Sequence, residues 1–140
     1  MKIIPFEPGH IWQVRLQSVQ VVALGEVTPQ YAQLLAASGP AVSAIEDGIL
    51  LGCCGVAATP YTGGILWGFV GTDCGPRMLK VHRGVSRFID SVRHRRIEAT
   101  VLAGFEPGCR WMKLLGFEFE GVMRKYGSDG SDYLRYAKVR

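Results

Sequence analysis

The sequence predicts a single α/β domain built on a mixed central sheet of about six to seven strands flanked by about four helices, and three stretches carry that reading. Asp47-Gly48 separates two apolar runs, a strong hairpin signal because the tight turn needs positive φ at both central residues. Met78, Val81, Val85, Phe88 and Val92 recur at steps of three and four, the spacing of a long amphipathic helix. Pro107 to Met123 compresses a helix, its stop and a strand. Pro107 suits a first helical turn and Gly116 a left-handed stop, after which Phe117, Phe119 and Met123 alternate with Glu118, Glu120 and Val122.

At 140 residues the chain can bury about two-thirds of the surface its unfolded form exposes, enough for one self-sufficient core. Hydrophobic residues at 48% against 20% charged exclude a mostly disordered protein. The longest apolar run, Ile49 to Ala58, is broken by glycines and too short to span a bilayer. The N-terminus lacks a basic region followed by an apolar block. These features point to a soluble, cytoplasmic protein with no membrane partner. Cys53, Cys54, Cys74 and Cys109 form no Cys-x-x-Cys pair, and no histidines fall at finger spacing, so buried, reduced thiols are expected and no metal. A net charge of +4 permits an anionic partner without requiring one. Nucleic acid is not expected, because the basic helix lacks the interleaved aromatics of a single-strand platform.

Taken in order, Lys2 to Phe6 is extended, and Pro8-Gly9 precedes a first amphipathic helix with Ile11, Trp12, Val14, Leu16 and Val19 inward. Thr28-Pro29 pairs a cap with proline at the first helical position, Tyr31, Leu34 and Leu35 give the second helix its apolar side, and Ser38-Gly39-Pro40 ends it. Ala41–Ile45 and Ile49–Ala58 are the hairpin strands, and Thr59 to Gly64 is a second turn. Ile65–Val70 is almost continuously apolar, as expected of a central strand covered on both faces. Gly71 to Pro76 breaks it ahead of the long helix. Ile97, Ala99, Val101 and Ala103 then alternate with Glu98, Thr100 and Leu102, completing a βαβ succession. The cluster Arg93-His94-Arg95-Arg96 complements the dipole at the helix end. Tyr133–Val139 returns as a last strand, expected to lie exposed and able to pair with another chain, which would make an oligomer.

Leu115-Gly116-Phe117, preceded by a helix and followed by a strand carrying Glu120-Gly121 and Arg124, resembles the C-terminal signature of the GCN5-related N-acetyltransferase (GNAT) superfamily. It is most similar to the short phage- and prophage-encoded members, which include internal virion protein-like sequences. The order of elements resembles that fold from end to end. The resemblance implies acetyl-CoA as co-substrate, bound between the fourth and fifth strands, and an amine acceptor that the sequence does not identify. It places the diphosphate on backbone N–H groups where the following helix begins, an anion site made of unpaired amides and a helix dipole. Carried onto this chain, the cofactor-binding candidates are Val70, Gly71, Thr72, Gly75 and Arg77.

Several positions depart from the superfamily pattern. The loop lacks the Arg/Gln-x-x-Gly-x-Gly/Ala signature, which His82-Arg83-Gly84-Val85 echoes only in part and inside the helix. Met112 stands where a tyrosine acid is usual, Phe105 where an asparagine often ends the fifth strand, and Ile65–Val70 holds no Asp or Glu to serve as base. Acyl transfer to an amine needs one group to take the ammonium proton and another to protonate the departing thiolate. Asp73 and Tyr126 are the substitutes, whereas Glu118 and Glu120 read more simply as the polar side of a strand. A plain strand-to-helix turn explains the loop glycines equally well. Arg77, Lys80, Arg83 and Arg87 share a helix side and either steer a polyanion or solvate an outer face. His10 is read as a surface or capping residue, and Trp12, Trp67 and Trp111 as core or cleft lining. Two functions follow. The first is an acetyl-CoA-dependent N-acetyltransferase of phage or prophage type; the second is a non-catalytic virion or accessory protein that keeps the fold. Phage virion proteins or a host protein are the partners implied, and the host cytoplasm or the virion the location.

Overall fold

In a computed structural model of the chain, residues 1–24, 27–61 and 63–140 are described; Thr62 of the expected second turn lies outside them, as do Gly25 and Glu26. Seven strands form one sheet in the order β1-β2-β3-β4-β5-β7-β6. The strands β1 (Lys2–Pro5), β2 (Ala41–Glu46), β3 (Ile49–Ala58) and β4 (Gly63–Val70) pair antiparallel in succession. β5 (Arg96–Leu102) joins β4 in parallel, and β7 (Tyr133–Val139) runs antiparallel between β5 and β6 (Glu118–Met123). The helices are α1 (Ser18–Leu24), α2 (Pro29–Ala37), α3 (Met78–Ser91) and α4 (Glu106–Leu114), with 3-10 helices at Pro8–Trp12 and Thr72–Arg77.

Local chemistry sets the boundaries. Asp47 and Gly48 adopt φ 52° and 75°, joining β2 to β3 in the expected turn. Thr28 Oγ1 accepts the Tyr31 N–H at 3.2 Å and starts α2 ahead of Pro29. α4 ends at Gly116, φ 87°, where the Gly116 N–H reaches Lys113 O at 3.0 Å and the Phe117 N–H reaches Met112 O at 2.9 Å. This paired closure satisfies two carbonyls that the helix leaves unpaired.

Helices cover both sheet faces. On one, α3 and α4 bury Phe88, Ile89, Cys109, Met112 and Leu115 against Val56, Ile97, Ala99 and Tyr136. On the other, α2 and the first 3-10 helix bury Ile11, Ala32 and Leu35 against Leu50, Cys53 and Phe69. Ile89 and Ile97 have no exposed surface, and burial of each contributes about 1.5–3 kcal/mol.

Five expectations are corrected. The first amphipathic helix is two elements, because Leu16 leaves the helical path to bridge Gly71 in antiparallel fashion; Trp12 is exposed. In α2 the inward residues are Ala32 and Leu35, whereas Tyr31 and Leu34 face outward, as the Pro29 start sets the helical phase. β7 is enclosed by β5 and β6, so the outer strands are β1 and β6. Phe119 is exposed, since a register shift between Phe119 and Gly121 breaks the alternation of β6. Ile65, expected to be covered on both faces, is 40% exposed. The carboxyl end of α3 is capped from afar: Arg140 donates to Ile89 O at 2.9 Å and Val92 O at 2.7 Å. His10 Nδ1 accepts the Glu7 N–H at 3.2 Å and lies 2.8 Å from Ser43 Oγ, a buried capping arrangement.

Candidate active site at the fork between the parallel strands

The parallel strands β4 and β5 pair only from Gly63↔Arg96 to Ile65↔Glu98. Beyond that point β5 pairs with β7 alone, and the carboxyl half of β4 keeps only β3. Since alternate residues of a strand point their N–H and C=O to opposite edges, and the Gly71 N–H is given to Leu51 O at 2.8 Å, Gly68 and Val70 present theirs toward the fork. A parted parallel pair therefore leaves a donor and an acceptor that the ladder does not use.

A side chain takes both. Gln20 of α1 donates from Nε2 to Gly68 O at 3.1 Å, and its Oε1 accepts the Val70 N–H at 2.9 Å. The chain before it continues the cover: the Thr72 N–H donates to Arg15 O at 2.8 Å, and Leu16 bridges Gly71. On the helical side, Trp111 of α4 donates from Nε1 to His82 Nδ1 of α3 at 3.2 Å, tying the two helices together.

The turn after β4 is held by one carbonyl. Leu51 O takes both the Gly71 N–H and the Cys74 thiol, the latter at 3.1 Å, and burial pushes the Cys74 thiol above its ordinary value. The site candidates in this turn stand as follows. The Gly71 and Thr72 amides are engaged with Leu51 and Arg15. Gly75 is exposed, with open space around a Cβ placed there. Arg77 points to the β2–β3 hairpin, donating from Nε to Glu46 Oε2 at 2.7 Å, with its NH1 on Asp73 O at 3.2 Å. Glu46 also takes Lys80 Nζ at 2.6 Å and the N-terminal ammonium at 3.0 Å; these partners, Lys80 foremost, hold its carboxyl down at about 2. Of the four cations sharing one side of the basic helix, Arg77 and Lys80 thus serve this cluster, while Arg83 and Arg87 are exposed.

Asp73 is half-buried, 3.8 Å from Arg15 Nε. Tyr126 lies exposed in the β6–β7 turn, its ring edge-on to Tyr133 at 5.5 Å. Both sit past the carboxyl ends of the parallel strands, Asp73 after β4 and Tyr126 beside the Leu102↔Tyr133 pair that ends β5. No hydrogen bond or ion pair joins them. The carboxylate at the fork itself is Glu98, held by Arg96 Nε at 2.9 Å and by Arg135. Glu120 also pairs with Arg96, which lowers its pKa, while Glu118 stays exposed on the outer strand. Among these, Gln20 and Glu98 were not picked out by sequence reasoning: a lone glutamine in a helix and a polar residue in an alternating strand carry no local signal of a fork.

No protein-family model matches the sequence, and no curated protein matches it. Solved structures do. Ard1 from Thermoplasma volcanium superposes with a TM-score of 0.81 at 15% identity, over 99% of this chain and 96% of that one. The ribosomal-protein-S18-alanine N-acetyltransferase from Escherichia coli gives 0.76 at 13% identity, over 99% and 92%. A putative acetyltransferase of the GNAT family from Desulfovibrio desulfuricans gives 0.67 at 22% identity, over 99% and 98%. Likeness of this kind speaks for architecture: the chain has the GNAT acyl-CoA N-acyltransferase fold.

Proposed function

We propose that the protein is an acyl-CoA-dependent N-acyltransferase, with acetyl-CoA as donor and an amine as acceptor, working at the fork between β4 and β5. The observation that carries the proposal is the fork-facing pair on β4. Gly68 C=O and Val70 N–H lie outside the strand ladder and hold the carboxamide of Gln20, so that edge fits an amide-bearing chain. The arm of acyl-CoA supplies secondary amides of the same donor and acceptor character. The acetyltransferase names of the Escherichia coli and Desulfovibrio desulfuricans neighbours support the same reading.

In this reading Val70 binds the arm, and the diphosphate meets the turn of Gly71, Thr72, Gly75 and Arg77. Gly75 offers the open approach, and the other three would first exchange their present partners. In the transfer, a C–N bond forms and a C–S bond breaks; the ammonium nitrogen gives up two protons in becoming an amide, one released to solvent through the base and one balancing the proton that the departing thiolate gains. Asp73 would take the ammonium proton, and Tyr126 would protonate the thiolate and recover a proton from the acylated nitrogen, the two acting from opposite sides of the fork mouth. The proposal keeps the whole chain as one catalytic domain. Its phage or prophage origin, and a setting in the host cytoplasm, rest on the Leu115-Gly116-Phe117 signature.

A second reading, a non-catalytic accessory or virion protein of the same fold, draws on one observation: the Gly68 to Thr72 edge is already covered by the chain's own segment from Arg15 to Gln20. Titration calorimetry with acetyl-CoA separates the two. The enzyme reading expects saturable heat, weakened about fivefold or more in Gly75→Glu, where the new charge opposes a diphosphate. No heat from wild type or from a variant lacking the Gln20 carboxamide leaves the second reading standing.

A further inference from the structure

We infer that Gln20 is an internal occupant of the donor site, a specificity-setting gate that an incoming acyl-CoA must displace; this rests on the acyl-CoA reading above. The carboxamide of Gln20 and a ligand amide chain want the same two backbone atoms, Gly68 O and Val70 N, and both cannot have them. The side chain reaches across 48 and 50 residues of sequence to make these bonds, so they specify tertiary placement of α1 and not its helicity. α1 is short, seven residues, and its amino end is tied to the same strand by the Leu16 bridge to Gly71 and the Thr72 N–H on Arg15 O.

The segment from Arg15 to Gln20 therefore covers β4 from Gly68 to Thr72 as one piece. Its departure would free Val70 for the arm and the Thr72 amide for the diphosphate. It would also take Arg15, 3.8 Å away, from Asp73, the proposed base. Ligand entry and readiness of the base are thereby coupled through one element. A ligand without an amide arm cannot itself replace the two bonds it breaks, so the gate discriminates against short acyl thioesters.

Two variants test this. Gln20→Ala removes the occupant, and Gln20→Met keeps its length but loses both hydrogen bonds; both should bind acetyl-CoA more tightly than wild type. The gain expected is on the order of tenfold, because an internal competitor lowers apparent affinity by the fraction of molecules it keeps closed. Hydrogen exchange supplies a readout independent of turnover. The Val70 amide should exchange faster in both variants than in wild type, and acetyl-CoA should restore its protection. Equal or weaker binding by a folded variant overturns the gate and leaves the acyl-CoA reading intact. Failure of wild type and both variants to bind overturns the two together. A Val70 amide that exchanges alike in all three proteins overturns the gate even if the affinities differ.

Discussion

The sharpest stability test lies at Gly71, where β4 ends. Its backbone, φ −79° and ψ 157°, is one that alanine adopts freely, so Gly71→Ala introduces no dihedral strain. The cost is steric. A Cβ there would stand 2.6 Å from Leu51 O, 3.1 Å from Val14 Cγ1 and 3.4 Å from Arg15 O. Leu51 O is backbone and cannot swing away, and it is the acceptor of the Gly71 N–H at 2.8 Å. Opening that approach stretches the hydrogen bond, about 0.5–1.5 kcal/mol, and overpacks a buried junction, about 1–3 kcal/mol. We expect a loss of roughly 2–4 kcal/mol, which at an m-value of about 2 kcal/mol/M lowers the urea midpoint by about 1–2 M. Gly75→Ala, four residues on with nothing within 4 Å of its Cβ, is the matched control. It should be neutral or stabilise by about 0.4–1 kcal/mol through the unfolded chain. If the two variants unfold at the same midpoint, the close junction of Leu51, Gly71 and Arg15 is not what holds the end of β4.

Further outcomes are expected. Glu46 is held at about 2, below its ordinary 4.5, chiefly by Lys80; its contribution to stability is full above about pH 4.5 and is lost as pH falls through about 2. Urea midpoints across that window should drop more steeply in wild type than in Glu46→Gln, and parallel curves would contradict the cluster. Ile89→Ala empties a fully buried site between α3 and the sheet and should cost about 2–5 kcal/mol in the same assay. A loss under about 1 kcal/mol would mean that α3 is not packed as described. Burial pushes the Cys53 and Cys54 thiols up to about 12, so a thiol reagent at about pH 8 should label them only as the protein unfolds. Rapid labelling of either in the native state would place β3 at the surface.

Much of the fold is legible because its signals act within a few residues. Asp47-Gly48 can take positive φ, Thr28-Pro29 can cap and start a helix, and Gly116 can close one, whatever the rest of the chain does. Periodicity fails where a partner overrides it. Leu16 is drawn out of the expected helix by Gly71, and Phe119 turns outward at a break in register that only β7 defines.

The site divides along the same line. The sequence by itself determined the succession of strands and helices and put Val70 to Arg77 between a central strand and the long helix, since turns, caps and alternation are local properties. Only the tertiary structure decided which backbone amides remain for a ligand. It parted β4 from β5 after Ile65, sent Gln20 across 50 residues to the Val70 N–H, and turned Arg77 toward Glu46, 31 residues away. A hydrogen-bonding group is free or spent according to what lies beside it in space, and no window of sequence holds that information.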